Sequence, residues 1–179
     1  MLLHSIRAFS PFGEIIVGAN PDYFDKIKSL SSSALLSLSG RDRNATIKNA
    51  LDYITEHCDP APGDIILIHD AARPYITAEL IGRVIAAVEQ HGAASPAIPA
   101  ADTGLIADAQ HFVTNVPDRN TLYQAQTPQG VTFEIMQQLY AEPSHSTDLC
   151  GLCVQNGIPV KIIPGDIQNI KITYKEDLL

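Results

Sequence analysis

The sequence predicts an α/β sandwich with a largely parallel sheet, and three observations carry that prediction. Strand-like and helix-like segments alternate almost from end to end. Ile65-Ile66-Leu67-Ile68-His69 is a continuous apolar run bounded by turn formers, the pattern of a strand covered on both faces. From about Thr77, Leu80, Ile81, Val84, Ile85 and Val88 recur at helical spacing and give a broad buried stripe. With 179 residues the chain fits one domain, large enough to bury roughly two-thirds of its unfolded surface.

Taken in order, residues 2–9 read as a short amphipathic helix and residues 14–18 as a buried strand. Asn20-Pro21-Asp22 supplies a cap residue, a proline at the first helical position and an acid in the first turn of a helix ending near Leu30. Ser31-Ser32-Ser33 is a turn before a short strand, Leu35 to Leu38. The polar loop Arg41-Asp42-Arg43-Asn44 leads into a helix with Ile47, Leu51 and Ile54 on one face, stopped by Pro60, Pro62 and Gly63. After the strand 65–69 and the helix from Thr77, Ala93 to Ile98 forms the next strand. Residues 102–121 look less globular, and 112–116 read as one arm of a hairpin. Helices near 132–141 and 148–156, the latter capped by Gly157, and strands near 158–163 and 169–173 complete the chain.

Composition excludes several functions. A net charge of -8 argues against gripping nucleic acid, although an acidic shell still has room for a local basic phosphate pocket. No apolar run reaches the ~18 residues of a membrane span, and the first residues show no signal-peptide pattern. The odd cysteine count (Cys58, Cys150, Cys153) suits a reducing compartment, so a cytoplasmic protein is expected, with neither nucleic acid nor membrane as partner.

Ligands of open α/β sheets bind beyond the carboxyl ends of the strands, so polar residues just after strands are the first candidates. Asp70-Ala71-Ala72-Arg73-Pro74 directly follows the strand 65–69. Asp70 is able to hold a divalent cation, and Arg73 to fork onto a phosphate or anchor the loop; the competing reading is a capped turn with an ion pair. Gly40-Arg41-Asp42-Arg43-Asn44-Ala45-Thr46 joins a strand to a helix, where backbone amides and two arginines make an anion seat, or else an ordinary solvated helix start. Strict alternation puts Asn169, Lys171 and Thr173 on one strand face, offering Lys171 to a phosphate or merely to solvent. Arg119 is a further phosphate candidate in an exposed turn. Thr127-Pro128-Gln129, after Gln124 and Gln126, reads as an ordered loop. Cys150 and Cys153 with His145 lack a second ligand pair, so buried structural thiols are the better reading than zinc. His69, ending a buried strand, is more simply satisfied by backbone than by acid–base work.

In order along the chain, 68–74, Asp102-Thr103, Asp118-Arg119, 126–129, Thr147-Asp148, 169–173 and Glu176-Asp177-Leu178 resemble the cytidylyltransferases acting on methylerythritol 4-phosphate or ribitol 5-phosphate. The resemblance spans nearly the whole chain. Residues 42–48, 112–119 and Leu122-Tyr123-Gln124 look more like the ribitol-phosphate branch, whereas 70–74 is at least as typical of the methylerythritol branch. It implies a Rossmann-like three-layer α/β/α nucleotidyltransferase fold with a mostly parallel sheet and a protruding β-arm. It implies CMP transfer from CTP to D-ribitol 5-phosphate with release of pyrophosphate, or the same reaction on 2-C-methyl-D-erythritol 4-phosphate. Gly40, Arg41, Asp42, Arg43, Asn44, Ala45, Thr46 and Ala71 would line the CTP site and Asp70 would bind Mg2+. Arg119 and Lys171 would carry catalysis and substrate binding, with Thr103 and Thr127 beside them. The arm at about 102–121 would embrace a second subunit, giving a homodimer.

One departure stands out. The family begins with a strand, a Gly-rich phosphate loop and a lysine, whereas Met1-Leu2-Leu3-His4-Ser5 matches the helix that follows them. The sheet would then expose apolar surface where that strand belongs. The expectation is an incomplete chain of an active enzyme; a truncated gene or a catalytically inactive nucleotide-binding and dimerisation module is the alternative.

Overall fold

Strands and helices assemble into two main sheets with helices packed on them in the computed structural model, which describes residues 1–141, 146 and 148–178. His145 and Thr147, both singled out from the sequence, lie outside the described residues. Among those described, the chain runs α1 (Leu2–Phe9), β1 (Ile16–Ala19), α2 (Phe24–Leu30), β2 (Leu35–Leu38), α3 (Arg43–His57), β3 (Ile65–Ile68) and α4 (Ala78–His91). It continues through β4 (Ala93–Pro99), β5 (Ile106–Ala107), β6 (Val113–Asn115), β7 (Tyr123–Ala125), β8 (Gln129–Thr132), α5 (Phe133–Leu139), α6 (Leu149–Gln155) and β9 (Lys161–Pro164).

β1 and β2 pair in parallel, with Ile16 opposite Leu35 and Ala19 opposite Leu38. In the larger sheet β8 lies antiparallel between β3 and β4, while β4 also takes β7 antiparallel and β9 parallel. β3, β4 and β9 therefore run the same way. The parallel framework agrees with the sequence, and β7 and β8 are antiparallel insertions from a stretch the sequence presented as loop. β8 escapes notice because Gly130 replaces a side chain at its centre: a Cβ there would lie 2.7 Å from Val88 and 2.8 Å from Leu67. A larger residue would push α4 off the sheet.

Alternation along β3 creates the three layers. Ile66 and Ile68 pack with Leu51 of α3 and Phe133 and Met136 of α5 on one side, whereas Ile65 and Leu67 pack with Val84 and Val88 of α4 on the other. Leu80, Ile81, Val84 and Val88 of α4 are fully buried, each worth roughly 1.5–3 kcal/mol against exposure. Helix starts are capped by side chains: Asp42, Thr77 and Asp148 accept from the amides of Ala45, Leu80 and Gly151. Asn20 caps a single 3-10 turn, Pro21–Tyr23, so α2 begins one turn later than expected. Gly92, at φ 77, ends α4 in a conformation that a β-carbon disfavours.

Two further differences concern the site. Residues 169–173 form no strand; they cross the sheet end as an extended segment joined to the 70–74 loop by the Ile172 amide donating to the Ala72 carbonyl at 2.9 Å. The polar face expected there dissolves with it, since Asn169 is fully buried while Thr173 is exposed. The arm exists as the β5–β6 hairpin, and Leu105, Ile106, Phe112, Val113 and Val116 on it are all at least half exposed.

Candidate active site

β3 ends at Ile68, and the chain turns at once, the Arg73 amide closing onto the Asp70 carbonyl at 2.9 Å. That turn sets the Asp70 carboxylate at the sheet end, where Lys171 Nζ lies 3.0 Å from Oδ2 and Arg43 Nε lies 3.9 Å from Oδ1. Cations from two other segments thus converge on one carboxylate. Asp70 is 21% exposed and Lys171 50%, so the pair is half-wet and adds little to stability. What it does is fix a cation beside an anion at the mouth of a groove.

A buried hydrogen-bond network holds the 70–74 loop. The Asp70 amide donates to Thr127 Oγ1 at 3.1 Å, and Thr127 Oγ1 meets His69 Nδ1 at 3.1 Å. His69 Nε2 lies 3.1 Å from the Arg73 carbonyl. The arrangement assigns a neutral imidazole with its proton on Nε2, because Nδ1 then accepts the Thr127 hydroxyl proton. Burial pushes the His69 pKa below its usual value and favours that neutral form. Arg73 anchors the loop instead of facing a phosphate: its Nη1 donates to the Asn169 carbonyl at 2.7 Å. Asn169 Nδ2 donates to the Thr127 carbonyl at 2.9 Å, and Gln126 pairs with both backbone groups of Asp166. Through Arg73 and Asn169 the segment carrying Lys171 is bolted to the segment carrying Asp70. Thr127 is only 6% exposed and its hydroxyl is fully engaged, so it supports the loop from behind instead of facing a ligand.

The 40–46 loop wraps the start of α3. Thr46 Oγ1 donates to the Asp42 carbonyl and accepts the Gly40 amide, both at 2.9 Å. Gly40 admits no side chain, since a Cβ would lie 2.4 Å from Ala45 Cβ and 2.8 Å from the Thr46 amide nitrogen. Gly18 at the end of β1 is pressed similarly, 2.5 Å from Thr46 Cγ2. Arg41 points into solvent against Asp42, and Asn44 donates to the Ser146 carbonyl at 2.6 Å. Arg43, Thr46 and Ala71 join Gly18, His69 and Asp70 in lining one end of a groove of about 1010 Å³. Arg43 Nη1 is buried there with no hydrogen-bond partner.

Arg119 and Thr103 stand elsewhere. Both are exposed at the base of the arm, Arg119 Nη1 donating to the Ala101 carbonyl at 3.3 Å, and among the described residues neither bonds to the Asp70 cluster. The thiols behave as structural groups: Cys153 is buried with its pKa pushed up to about 12, and Gln129 Nε2 lies 3.2 Å from Cys150 Sγ. No group of three metal-ligating side chains occurs among the described residues. The donor set at Asp70, one carboxylate beside an open groove, suits an ion such as Mg2+ that arrives on nucleotide phosphates. What the sequence hid was the network behind Asp70; the run Gln126-Thr127-Pro128-Gln129 was its one visible sign.

A family model described as IspD, 2-C-methyl-D-erythritol 4-phosphate cytidylyltransferase, matches residues 1–179. The chain belongs to this family of CTP-dependent cytidylyltransferases. Among solved structures, a 4-diphosphocytidyl-2C-methyl-D-erythritol synthase is 27% identical with a TM-score of 0.85, over 99% of this chain and 86% of that one. The 2-C-methyl-D-erythritol 4-phosphate cytidylyltransferase of Thermus thermophilus is 27% identical with a TM-score of 0.82, over 98% of this chain and 83% of its own. The 4-diphosphocytidyl-2C-methyl-D-erythritol synthase of Anaerococcus prevotii is 26% identical with a TM-score of 0.86, over 99% and 82%. The nucleotidyltransferase fold expected from the sequence is the fold found. The preference for the ribitol-phosphate branch finds no support in these matches, which favour the methylerythritol alternative. That preference rests on short stretches such as 42–48 and 112–119, whereas the family match spans residues 1–179. Among the described residues, no helix is long and apolar enough to cross a membrane.

Proposed function

We propose that this member of the family transfers CMP from CTP to 2-C-methyl-D-erythritol 4-phosphate, releasing pyrophosphate. The observation that carries the reading is the convergence of Lys171 and Arg43 on Asp70 at one end of the groove, joined to a family match over the full 179 residues. A phosphate oxygen of the polyol substrate attacks the α-phosphorus of CTP in line, and the bond to the β-phosphate oxygen breaks. Charge neutralisation and alignment carry such a reaction; no covalent enzyme intermediate is needed.

In this reading, Gly40, Arg41, Asp42, Arg43, Asn44, Ala45, Thr46 and Ala71 form the nucleotide wall. Arg43 and Thr46 reach the groove, while Gly40, Asp42 and Ala45 shape the turn behind them. Asp70 supplies the carboxylate for Mg2+, which when bound neutralises charge on the nucleotide phosphates. Lys171 positions the phosphate of the incoming polyol substrate, and the Thr127–His69–Asn169 network keeps Asp70 and Lys171 in register. Arg119 and Thr103 work at the site of a second subunit, to which the apolar arm would dock in a homodimer. Three free cysteines suit a cytosolic setting.

Pyrophosphate release from CTP and magnesium tests the assignment, with methylerythritol 4-phosphate and ribitol 5-phosphate in parallel. Turnover with the first substrate alone supports it. Turnover with ribitol 5-phosphate alone restores the other branch, and silence with both, alongside retained CTP binding, assigns a nucleotide-binding module without catalysis.

A further inference from the structure

Arg43 and Thr46 line the groove, but Asn44 between them does not. Successive residues of an α-helix point about 100° apart, so when Arg43 at the start of α3 turns toward the groove, Asn44 turns away from it. Asn44 Nδ2 donates to the Ser146 carbonyl at 2.6 Å, across 102 residues of chain. The bonds of Gly40, Asp42 and Thr46 close the 40–46 loop on itself, whereas the Asn44 bond ties it to the segment that begins α6.

That segment is held in turn by Gln129, which is 2% exposed and uses both ends of its amide. Oε1 accepts from the Leu149 amide at 3.2 Å, and Nε2 donates to Asp148 Oδ2 at 3.1 Å. A carboxamide suits the place because it offers an acceptor and donors side by side. Ser146 Oγ donates to the Asp148 carbonyl at 3.0 Å, and Gly151 leaves room for it, since a Cβ there would lie 2.4 Å from that hydroxyl. Gln129 sits on β8 opposite Ile68, which ends β3 two residues before Asp70. The connections close into a ring. It leaves Asp70 along β3, crosses to Gln129, passes through Asp148 and Ser146 to Asn44, and returns through Arg43, whose Nε lies 3.9 Å from Asp70 Oδ1.

We propose that Gln129 and Asn44 are positioning residues that act through Arg43, fixing the rotation of the first turn of α3 and so the approach of the guanidinium to Asp70. Arginine has much rotamer freedom to lose, and an ion pair at 3.9 Å with 33% and 21% of its side chains exposed is too weak to hold it alone. The ring fixes where that side chain starts. Asn44 thus supports the nucleotide wall from behind and does not touch the nucleotide. The consequence for turnover rests on the proposed reaction; the consequence for Arg43 itself does not.

Nitrogen-15 NMR of the intact, ligand-free chain reads Arg43 directly, its Nε–H signal being the one lost in Arg43→Lys. Asn44→Ala removes the donor, and Gln129→Met keeps the bulk while removing the amide. Each should move the Arg43 signal to the position of solvent-exposed arginines. Ile81→Val, a core change packed with Ile76 and Leu80 outside the ring, controls for general loss of stability and should leave the signal in place. In pyrophosphate release, Asn44→Ala should lower kcat about tenfold with the KM for CTP within about twofold, and should lower it no further in an Arg43→Ala background. An Arg43 signal unmoved in Asn44→Ala overturns the proposal, as do losses that add to those of Arg43→Ala or a change confined to KM. Should Gln129→Met not fold, the half-buried Asn44→Ala carries the test. A wild-type chain without turnover sinks the proposed reaction, and the NMR signal still decides the role of the ring.

Discussion

Replacing Thr127 by valine isolates the network behind Asp70, because valine keeps the branched shape and deletes only the hydroxyl. That oxygen accepts the Asp70 amide at 3.1 Å and meets His69 Nδ1 at 3.1 Å, in surroundings where Thr127 is 6% exposed. Two hydrogen bonds at about 1 kcal/mol each set a floor near 2 kcal/mol, and leaving both partners buried and unpaired raises the loss to about 2–4 kcal/mol. Urea unfolding should show the midpoint falling at constant m-value, the sign of a stability change alone. Thr127→Ser retains the hydroxyl and should recover most of the loss. If the protein catalyses the proposed reaction, the valine variant should also lose turnover at sub-denaturing temperature, since Asp70 is held by the amide that Thr127 grips. A valine variant within about 0.5 kcal/mol of wild type, or a serine variant as weak as valine, would refute the network's role.

Lys171→Ala removes an ion pair that is half exposed, so stability should change by less than ~1 kcal/mol while pyrophosphate release falls by ~10²-fold or more; unchanged turnover sinks its assigned role. Gly40→Ala places a β-carbon 2.4 Å from Ala45 Cβ and 2.6 Å from its backbone carbon; it should cost about 1–3 kcal/mol by thermal melt and weaken CTP binding in calorimetry. The His69 pKa is lowered by burial, so its unfolded form binds protons more readily. Its share of stability is complete above the unfolded value of about 6.5 and drains away as pH falls below it towards the folded pKa. Urea midpoints of wild type and His69→Gln should therefore converge as pH drops from about 7.5 to about 5, and a pH-independent gap contradicts the assignment. Cys153, buried and with its pKa raised to about 12, should react with a thiol reagent far more slowly in the folded protein than in urea.

What the sequence made legible was whatever depends on near neighbours. The stripe on α4 and the apolar run in β3 are local patterns, and both reappear in the structure. Asp70 was legible for a similar reason, because the end of a covered strand is where a doubly covered sheet opens to ligands. The direction of β8 was not, since no local pattern tells an antiparallel insertion from a loop when glycine sits at its centre. Lys171 shows the limit more sharply. Alternation placed it on a strand beside Asn169 and Thr173, but a single backbone bond to Ala72 and a buried asparagine hold the segment instead. The lysine was identified for a face that does not exist, yet it lies 3.0 Å from Asp70. That agreement has a physical source. The contacts that bring the lysine to the carboxylate span 96 residues from Arg73 to Asn169 and 57 from Asp70 to Thr127. Such contacts are written in the fold's topology, where loop-closure entropy has already been met by the packed sheet, and not in any window of the chain. The position of the site follows from the strand order, and its chemistry from which distant segments the sheet end gathers.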